Sequence, residues 1–271
     1  VRHEGCPKKM LKPAARRSSS KEAKTVRVSI HQWCSTDGSV EDKTESVPWS
    51  TASETNATSE RSVGCGRYSG DEVIVKQRLI VATRNVHKVE EIRAILSAFE
   101  VLDLSVLTDP PEVEETGSTF LENAILKAQA ISELTDALVL SDDSGLEVDS
   151  LGGDPGVYSA RYAGEDGNDS LNNEKLLREM DGNCERTARF RCVIVLARGG
   201  NVLADFSGAI EGRILQQKQG GGGFGYDPLF APEGYEMSFA ELGEEIKNSM
   251  SHRSRALEGV VDWLSRRFPL G

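Results

Sequence analysis

The sequence lacks any long apolar run, since no stretch approaches the ~20 consecutive apolar residues that a transmembrane helix needs. It also has little cysteine: five are scattered over 271 residues, and no pair has the spacing of a zinc ribbon. These absences argue against a membrane protein and against a small disulfide-bonded domain. We therefore expect a globular, cytoplasmic protein with no membrane partner.

An excess of basic charge is also missing. The chain has a net charge of −11, and the charge is uneven, because residues 1–70 carry +4 and the rest of the chain carries −15. Sequence-independent nucleic-acid binding needs a basic face that displaces counterions. We therefore expect no nucleic-acid partner, and we expect any phosphate to belong to a small ligand held by a few placed cations and a metal.

Residues 1–75 differ in composition and in hydrophobic pattern from the rest of the chain. They are rich in Ser and Thr and have no sustained apolar period, so they cannot bury enough surface to offset the entropy of ordering. A basic, Ser-rich start suggests a transit peptide, but the acidic residues after Asp37 fit that poorly. We expect residues 1–75 to be a disordered or non-native extension and residues 76–271 to form one folded domain.

Beyond the extension, strand and helix patterns alternate, which predicts an α/β class. Short apolar runs predict the strands, and apolar residues at helical spacing predict the helices. The predicted strands cover residues 78–82, 137–140, 190–197 and 202–210, and the predicted helices cover residues 87–99, 118–134, 171–180 and 250–267.

The first strand and helix are joined by a turn, in IVATRNVHKVEE, that has the layout of an anion site. Free backbone N–H groups at a helix N-terminus favour a phosphate. Thr83 and Asn85 can add hydrogen bonds, and Lys88 can add a positive charge. The glycines of a Walker A loop are missing, and a capped helix after a strand is common, so a purely structural turn remains an alternative.

The strongest local indication of a functional site is the stretch LVLSDDSGLEVD, in which Asp142 and Asp143 are adjacent. We interpret them as lying at the C-terminal end of a buried strand, where α/β proteins place ligands. Adjacent carboxylates repel each other unless a positive group lies beside them, and Mg²⁺ suits oxygen ligands. The alternative is an Asp-Asp-Ser-Gly turn in which Asp143 caps the next element.

Lys127 lies inside the otherwise apolar run AILKAQA of the second predicted helix, which comes after the acidic residues Glu112, Glu114 and Glu115. This placement is compatible with a lysine that points into a site. From the residues alone, a surface lysine that extends along the helix to water is the better interpretation.

The stretch GGGGFGYDPLF combines a flexible backbone with two aromatic rings and one carboxylate. Phe224 or Tyr226 can stack on a base, and Asp227 can bind the edge of the base. A simple glycine hinge explains the pattern equally well.

Near the C-terminus, the stretch KNSMSHR places two cations and a histidine at a helix start. Ser251 and His252 do not form a hydrolase dyad, because neighbouring residues rarely face each other and no nucleophile-elbow motif is present. We expect Ser251 to be the N-cap, with His252 and Arg253 directed at a ligand.

Taken in order, these segments resemble one family, the inosine triphosphate pyrophosphatases of the RdgB-like type. Similar stretches span residues 79–257, and the combination is specific, although each motif alone is not. They are IVATRNVHKVEEIRAIL, EETGSTFLENAILKAQA, SDDSGLEVDSLGGDPGVYSARYAG, RFRCVIVLA, GGFGYDPLF and KNSMSHRSRAL.

The resemblance implies an ITPase-like α/β fold: a central mixed sheet flanked by helices in two lobes, with the active-site cleft between them. It implies Mg²⁺-dependent hydrolysis of ITP, dITP and XTP to the monophosphate and pyrophosphate, by a homodimer. By motif position, it makes Asp143 the proton acceptor and Lys127 a phosphate-facing lysine. It makes Glu115 and Asp143 the magnesium ligands, with Asp142, a third catalytic residue, close by. The residues it places on the nucleotide are Thr83, Arg84, Asn85, Val86, His87, Lys88, Ser144, Phe224, Gly225, Tyr226, Asp227, Lys247, His252 and Arg253.

The chain departs from the family pattern at a few positions. Family members often carry Gly at the positions of Arg84 and His87, and Glu at that of Ile246. Two alternatives stay open: a catalytically silent nucleotide-binding sensor, and a related Maf-type pyrophosphatase, which lacks the SHR and FGYDP segments. Intact Asp142, Asp143, Glu115 and Lys127 argue against a sensor.

Overall fold

The computed structural model describes residues 77–164 and 167–267, so the predicted extension over residues 1–75 lies outside the described part of the chain. Strands and helices alternate through most of it, with 3-10 turns at Leu104–Val106, Asp149–Leu151 and Gly156–Arg161. In chain order the elements are β1 (Arg78–Val81), α1 (Val86–Ile95), β2 (Glu100–Leu102), α2 (Phe120–Ser132), β3 (Leu138–Val148), α3 (Asp169–Glu179), β4 (Thr187–Arg198), β5 (Asn201–Ile214), β6 (Phe230–Pro232), α4 (Phe239–Leu242), α5 (Glu244–Met250) and α6 (His252–Arg267).

The strands form one mixed sheet in the order β2-β1-β3-β4-β5-β6. β1 is parallel to β2 and β3, as expected for strands joined through helices, whereas β3 to β6 are antiparallel. Helices pack on this sheet, with α2 against β3 and β4 and α6 against β4 and β5. The predicted α/β class with a central mixed sheet is confirmed.

Four hydrophobic clusters form in the described residues, and the two largest lie along the same long strands and define two lobes. The first joins β1, α1 and α6 to the adjoining halves of β3 and β4, with Leu79, Ile92 and Leu257 fully buried. The second joins the far half of β3 to α3, the start of β4 and the end of β5, around Leu146 and Leu176. The middle of β3 therefore lies between the two cores, where polar side chains can reach a cleft.

The prediction that Asp142 and Asp143 end a buried strand is wrong, because β3 continues to Val148. Antiparallel pairing with β4 holds β3 extended from Val139 to Val148, which also excludes the turn alternative. The parallel neighbour β1, however, pairs with β3 only as far as Leu140. The two carboxylates therefore lie just beyond the point where the pairing between β1 and β3 ends.

The last predicted helix, over residues 250–267, corresponds to α6, and the separate helix α5 before it was not predicted. Residue Ser251 is extended, with φ −64° and ψ 164°, and separates α5 from α6. Its hydroxyl accepts a hydrogen bond from the Ser254 N–H at 3.2 Å, which confirms the predicted N-cap. The three-residue strands β2 and β6 were not predicted, since runs this short show no periodicity. No helix in the described residues is long and apolar enough to cross a membrane.

Candidate active site

A cleft of about 830 Å³ lies between the two lobes. It is bounded by the β1–α1 turn, the acidic segment before α2 (residues 111–115) and the middle of β3. The Gly-rich segment (residues 220–227) and the start of α6 complete its walls. Three predicted site residues, Val86, His87 and Asp142, do not line it. The predicted residues that do are Thr83, Arg84, Asn85, Lys88, Glu115, Lys127, Asp143, Ser144, Phe224, Gly225, Tyr226, Asp227, Lys247, His252 and Arg253.

The β1–α1 turn is shaped by side chain to backbone hydrogen bonds. Asn85 is the N-cap of α1, where its side chain accepts from the Lys88 N–H at 3.2 Å, and the Thr83 hydroxyl accepts from the Asn85 N–H at 3.2 Å. The side chain of Arg84 donates to the carbonyl of Pro110 at 2.9 Å. The Val86 side chain is exposed on α1. The turn therefore presents its polar side, with Lys88, to the cleft.

Asp142 is fully buried behind the cleft and holds two of its cations. Its Oδ1 lies 2.7 Å from the Lys88 Nζ, and its Oδ2 accepts from the Arg253 Nε at 2.9 Å and from the Cys192 thiol at 3.0 Å. Burial disfavours the charged carboxylate, but Arg253 and Lys88 outweigh that effect and hold the pKa of Asp142 well below its usual range. Asp142 therefore serves as a buried anion that anchors Lys88 and Arg253.

Lys127 connects the acidic segment to β3. Its Nζ lies 2.7 Å from Glu115 Oε1 and 2.9 Å from Asp143 Oδ1, and it donates to the Asp142 carbonyl at 2.9 Å. Burial disfavours its charge, but Asp143 and Glu115 outweigh burial and raise the pKa of Lys127. The interpretation of Lys127 as a surface lysine is wrong, because Lys127 is only 8% exposed and faces the cleft.

The pKa values of Asp143 and Glu115 shift in opposite directions beside Lys127. Burial raises the pKa of Asp143, and the opposing effect of Lys127 does not cancel it. For Glu115, burial also disfavours the charged form, but Lys127 outweighs it and the pKa is lowered. A carboxylate whose pKa is raised is the better proton acceptor of the two, because its proton affinity lies closer to the working pH.

Glu115 and Asp143 are the residues that can hold a divalent cation. Within the described residues, no group of three His, Cys, Asp or Glu has metal-binding geometry. Mg²⁺, however, keeps several waters and is commonly held by one or two carboxylates together with substrate phosphates. Two carboxylates that converge on one ammonium are compatible with that donor set.

Lys247 organises the opposite end of the cleft. Its buried Nζ lies 2.5 Å from Asp227 Oδ2 and 2.6 Å from Glu91 Oε1, and 4.5 Å from the centre of the Phe224 ring. The same Asp227 oxygen accepts from the Phe224 N–H at 2.9 Å. At Gly223, where φ is +71°, a Cβ would come within 2.2 Å of that oxygen, so only glycine fits here. These contacts fix the position of the Phe224 ring.

Of the two aromatic rings considered for stacking, Phe224 is the more accessible. Tyr226 is only 4% exposed, belongs to the second core and donates its hydroxyl to the Ser159 carbonyl at 2.9 Å. Phe224 is half-buried, and the exposed imidazole of His87 stacks on it with a centroid distance of 5.3 Å and an interplanar angle of 14°. His87 therefore lies at the mouth of the cleft.

His252 is buried at the start of α6 and stacks on Phe190, with ring centroids 4.9 Å apart. Burial, reinforced by Arg253 and Lys247, lowers the pKa of His252 well below its usual value, so the imidazole is neutral at pH 7. Its buried Nδ1 has no hydrogen-bond partner among the described residues. A neutral imidazole can donate from one ring nitrogen and accept at the other.

The neutral state of His252 predicts a pH-dependent stability. In the unfolded chain the imidazole takes up a proton below about pH 6.5, whereas the folded protein resists protonation, so stability is lost as pH falls. We expect the free energy of unfolding to fall by at most about 1.4 kcal/mol between pH 7.5 and 5.5 from this group. His252→Gln should remove that part of the slope in urea unfolding followed by circular dichroism. A slope equal to that of the parent would contradict this explanation.

Several residues that contact the predicted site residues were missed by sequence reasoning, among them four charged or polar ones close to the carboxylates and cations of the cleft. Glu91 on α1 pairs with Lys247 on α5 and with Arg253 on α6. Arg161 lies 3.4 Å from Glu115, Asn123 donates to Asp143, and Cys192 donates to Asp142. Local patterns give no signal for them, because each lies at an ordinary position of a helix or strand and acquires its role through distant partners.

Comparison with known proteins places the folded part of the chain in a family. A profile of the Ham1 family matches residues 79–263. A protein of Desulforamulus reducens named dITP/XTP pyrophosphatase is 48% identical over 195 residues, which cover 70% of this chain and 97% of that protein. A protein of the same name from Geobacter sulfurreducens is 51% identical over 191 residues, which cover 69% of this chain and 96% of that protein.

Solved structures of Ham1 proteins are similar to this chain in fold and sequence. The Staphylococcus aureus Ham1 protein is 40% identical, with a TM-score of 0.64, covering 70% of this chain and all of that one. A HAM1 protein from Coxiella burnetii is 36% identical with the same TM-score, covering 70% of this chain and 99% of that one. The resemblance seen in the motifs is confirmed. The chain belongs to the Ham1 family.

Proposed function

We propose that this chain is a nucleoside triphosphate pyrophosphatase that hydrolyses dITP, XTP and ITP to the monophosphate and pyrophosphate and so removes them from the nucleotide pool. The observation that carries the proposal is the convergence of Glu115 and Asp143 on Lys127 at one wall of a cleft whose other walls hold Lys88 and Arg253. Relatives named dITP/XTP pyrophosphatase support the choice of substrates.

Charge balance explains how an acidic protein can bind a triphosphate. Lys88, Lys127 and Arg253 place positive charge at the cleft, and each is held by a carboxylate instead of by solvent. Cations fixed in this way need little reorganisation when a charged substrate arrives. We assign the triphosphate to the part of the cleft that carries Lys88 and Lys127, and the base to the part that carries Phe224 and Arg253.

We propose Mg²⁺ as the cofactor, with Glu115 and Asp143 as its ligands. When bound, Mg²⁺ would neutralise phosphate charge and stabilise the leaving pyrophosphate. The chain's own residues supply the rest: Asp143 accepts a proton from the attacking water, and Lys127 keeps that carboxylate oriented. General base catalysis of this kind contributes about 10²–10⁴-fold in rate.

Selection of a 6-oxo purine is explained by hydrogen-bond donors at the base end. The neutral His252 and the guanidinium of Arg253 can both donate, so a base that offers an oxygen satisfies them. A base with an exocyclic amine at the same position leaves buried donors unpaired, which lowers its affinity. We propose that His252 and Arg253 recognise the 6-oxo group of the base by donating hydrogen bonds to it.

The test is a substrate panel of dITP, XTP, ITP, dATP and dCTP, assayed with Mg²⁺ and with EDTA. We expect rapid consumption of the first three only, abolished by EDTA. Binding of dITP without any turnover would overturn the proposal in favour of a nucleotide-binding sensor. Turnover that prefers other nucleotides would favour the Maf-type alternative.

Two further expectations remain proposals, the first derived from the family resemblance and the second from the composition of the sequence. One is a homodimer, for which light scattering of the purified full chain should give twice the monomer mass of 29.5 kDa. The other is a cytoplasmic location, which fractionation of the source cells would test.

A further inference from the structure

The segment that carries Glu115 into the cleft has no regular structure. Residues 107–119 lie between a 3-10 turn and α2 and form no helix or strand. Few backbone hydrogen bonds hold the segment, and the one inside its acidic part joins the Thr116 N–H to the Glu114 carbonyl. Side chains must therefore fix the position of Glu115.

Asn123 on α2 connects this segment to Asp143. Its side chain is fully buried, and its Oδ1 accepts from the Gly117 N–H at 2.7 Å while its Nδ2 donates to Asp143 Oδ2 at 3.3 Å. The Gly117 N–H requires an acceptor, so the amide oxygen must face it and the NH₂ group must face Asp143. A Cβ at Gly117 would lie 2.7 Å from the Asn123 Oδ1, so this approach needs glycine.

The helix does not need this side chain for its own stability. The N-terminus of α2 is capped by Thr119 and Glu122, which form a complete capping box. A buried amide that is not needed for capping costs free energy unless both of its groups are satisfied. The only charged partner of the Asn123 amide among the described residues is the carboxylate of Asp143.

We propose that Asn123 is a positioning residue that fixes Asp143 relative to the Glu115 segment. Lys127 holds Oδ1 of Asp143 and Asn123 holds Oδ2, so together they fix the orientation of the carboxylate plane. Through Gly117, the same amide fixes the backbone two residues beyond Glu115. This role rests on the proposed function, in which Glu115 and Asp143 bind the metal and Asp143 accepts the proton.

The test compares Asn123→Leu, which removes both hydrogen bonds, with Asn123→Asp, which keeps the acceptor for Gly117 and loses the donor to Asp143. We expect both variants to lower kcat for dITP about 10–100-fold with little change in KM, since the loss of groups that orient metal ligands has effects of that size. Binding of Mn²⁺ alone, followed by electron paramagnetic resonance, should weaken by a similar factor.

Asn172 provides a matched control. It is a buried asparagine on α3 whose Oδ1 accepts from the Ala163 N–H at 2.7 Å and whose Nδ2 donates to the Ala160 carbonyl at 2.9 Å. Asn172→Leu should lower the thermal stability as Asn123→Leu does, but leave kcat and Mn²⁺ affinity within about twofold of the parent. Equal effects of the two Leu variants on kcat would reduce Asn123 to a structural residue and overturn the proposal.

A second variant keeps the test valid if Asn123→Leu does not fold. Gly117→Ala disturbs the same contact from the segment side and should also weaken Mn²⁺ binding; parent-like affinity in both Gly117→Ala and Asn123→Asp would overturn the proposal. Because Mn²⁺ binding needs no turnover, the positioning role can be tested even if the parent fails to release pyrophosphate. That failure would overturn the proposed function separately.

Discussion

Asp143→Asn is expected to lower kcat for dITP by about 10²–10⁴-fold, the usual contribution of a general base. Asn keeps the shape of the side chain but cannot accept the proton of the attacking water, and it leaves Lys127 with Glu115 as its one remaining carboxylate. Binding of dITP in the absence of Mg²⁺ should persist, because the substitution removes negative charge beside a triphosphate. Steady-state kinetics and calorimetric titration with dITP separate the two effects.

Asp149→Asn is the matched control for this substitution. Asp149 lies directly after β3 and pairs with Arg189 at 2.8 Å, on a surface that does not line the cleft. Its replacement should leave kcat within about twofold of the parent, since exposed ion pairs contribute little. Parent-like turnover in Asp143→Asn would show that another group accepts the proton.

Arg253→Met should be the most destabilising substitution in the cleft. Arg253 is 1% exposed and pairs with Asp142 and Glu91, so its removal leaves buried carboxylates short of a partner. Breaking a buried pair from one side costs about 3–5 kcal/mol. We expect a value near the lower end, because Lys88 remains 2.7 Å from Asp142. Urea unfolding at pH 7 measures the loss.

Two further variants show whether an unpaired buried charge causes the loss of stability in Arg253→Met. Arg253→Met combined with Asp142→Asn should recover part of the stability, because the double variant no longer buries that uncompensated charge. Arg213→Met removes an exposed guanidinium that pairs with Glu236 at 2.6 Å, and should change stability by less than about 1 kcal/mol. Equal losses in Arg213→Met and Arg253→Met would contradict the importance of the buried pair.

The sequence predicted the elements whose signals are local. Buried strands and amphipathic helices show periodicity, and the Ser251 cap and the Asn85 turn arise from side chain to backbone hydrogen bonds a few residues apart. The continuation of β3 through Asp142 and Asp143 was missed. There, pairing with β4 overrides the turn preference of an Asp-Asp-Ser-Gly stretch, and that pairing depends on residues about 50 positions further along the chain.

In the candidate site, too, local motifs indicate some residues, whereas others acquire their role from distant parts of the chain. Motif positions indicated Asp143 and Lys88, but the residues alone favoured a surface role for Lys127, since nothing nearby in the sequence shows that two carboxylates will bury it. Glu91 looks like a solvent-facing residue of α1, and its partner Arg253 lies 162 positions away. Contacts of this kind form only when elements that are distant in the sequence have packed together.

The most direct measurement is the identity of the products that the full chain forms from dITP in the presence of Mg²⁺, separated by ion-exchange chromatography. Hydrolysis between the α and β phosphates should give dIMP and pyrophosphate in equal amounts, with no dIDP at any time. Formation of dIDP and orthophosphate would contradict the proposed reaction, because the cleft would then cleave the terminal phosphate instead.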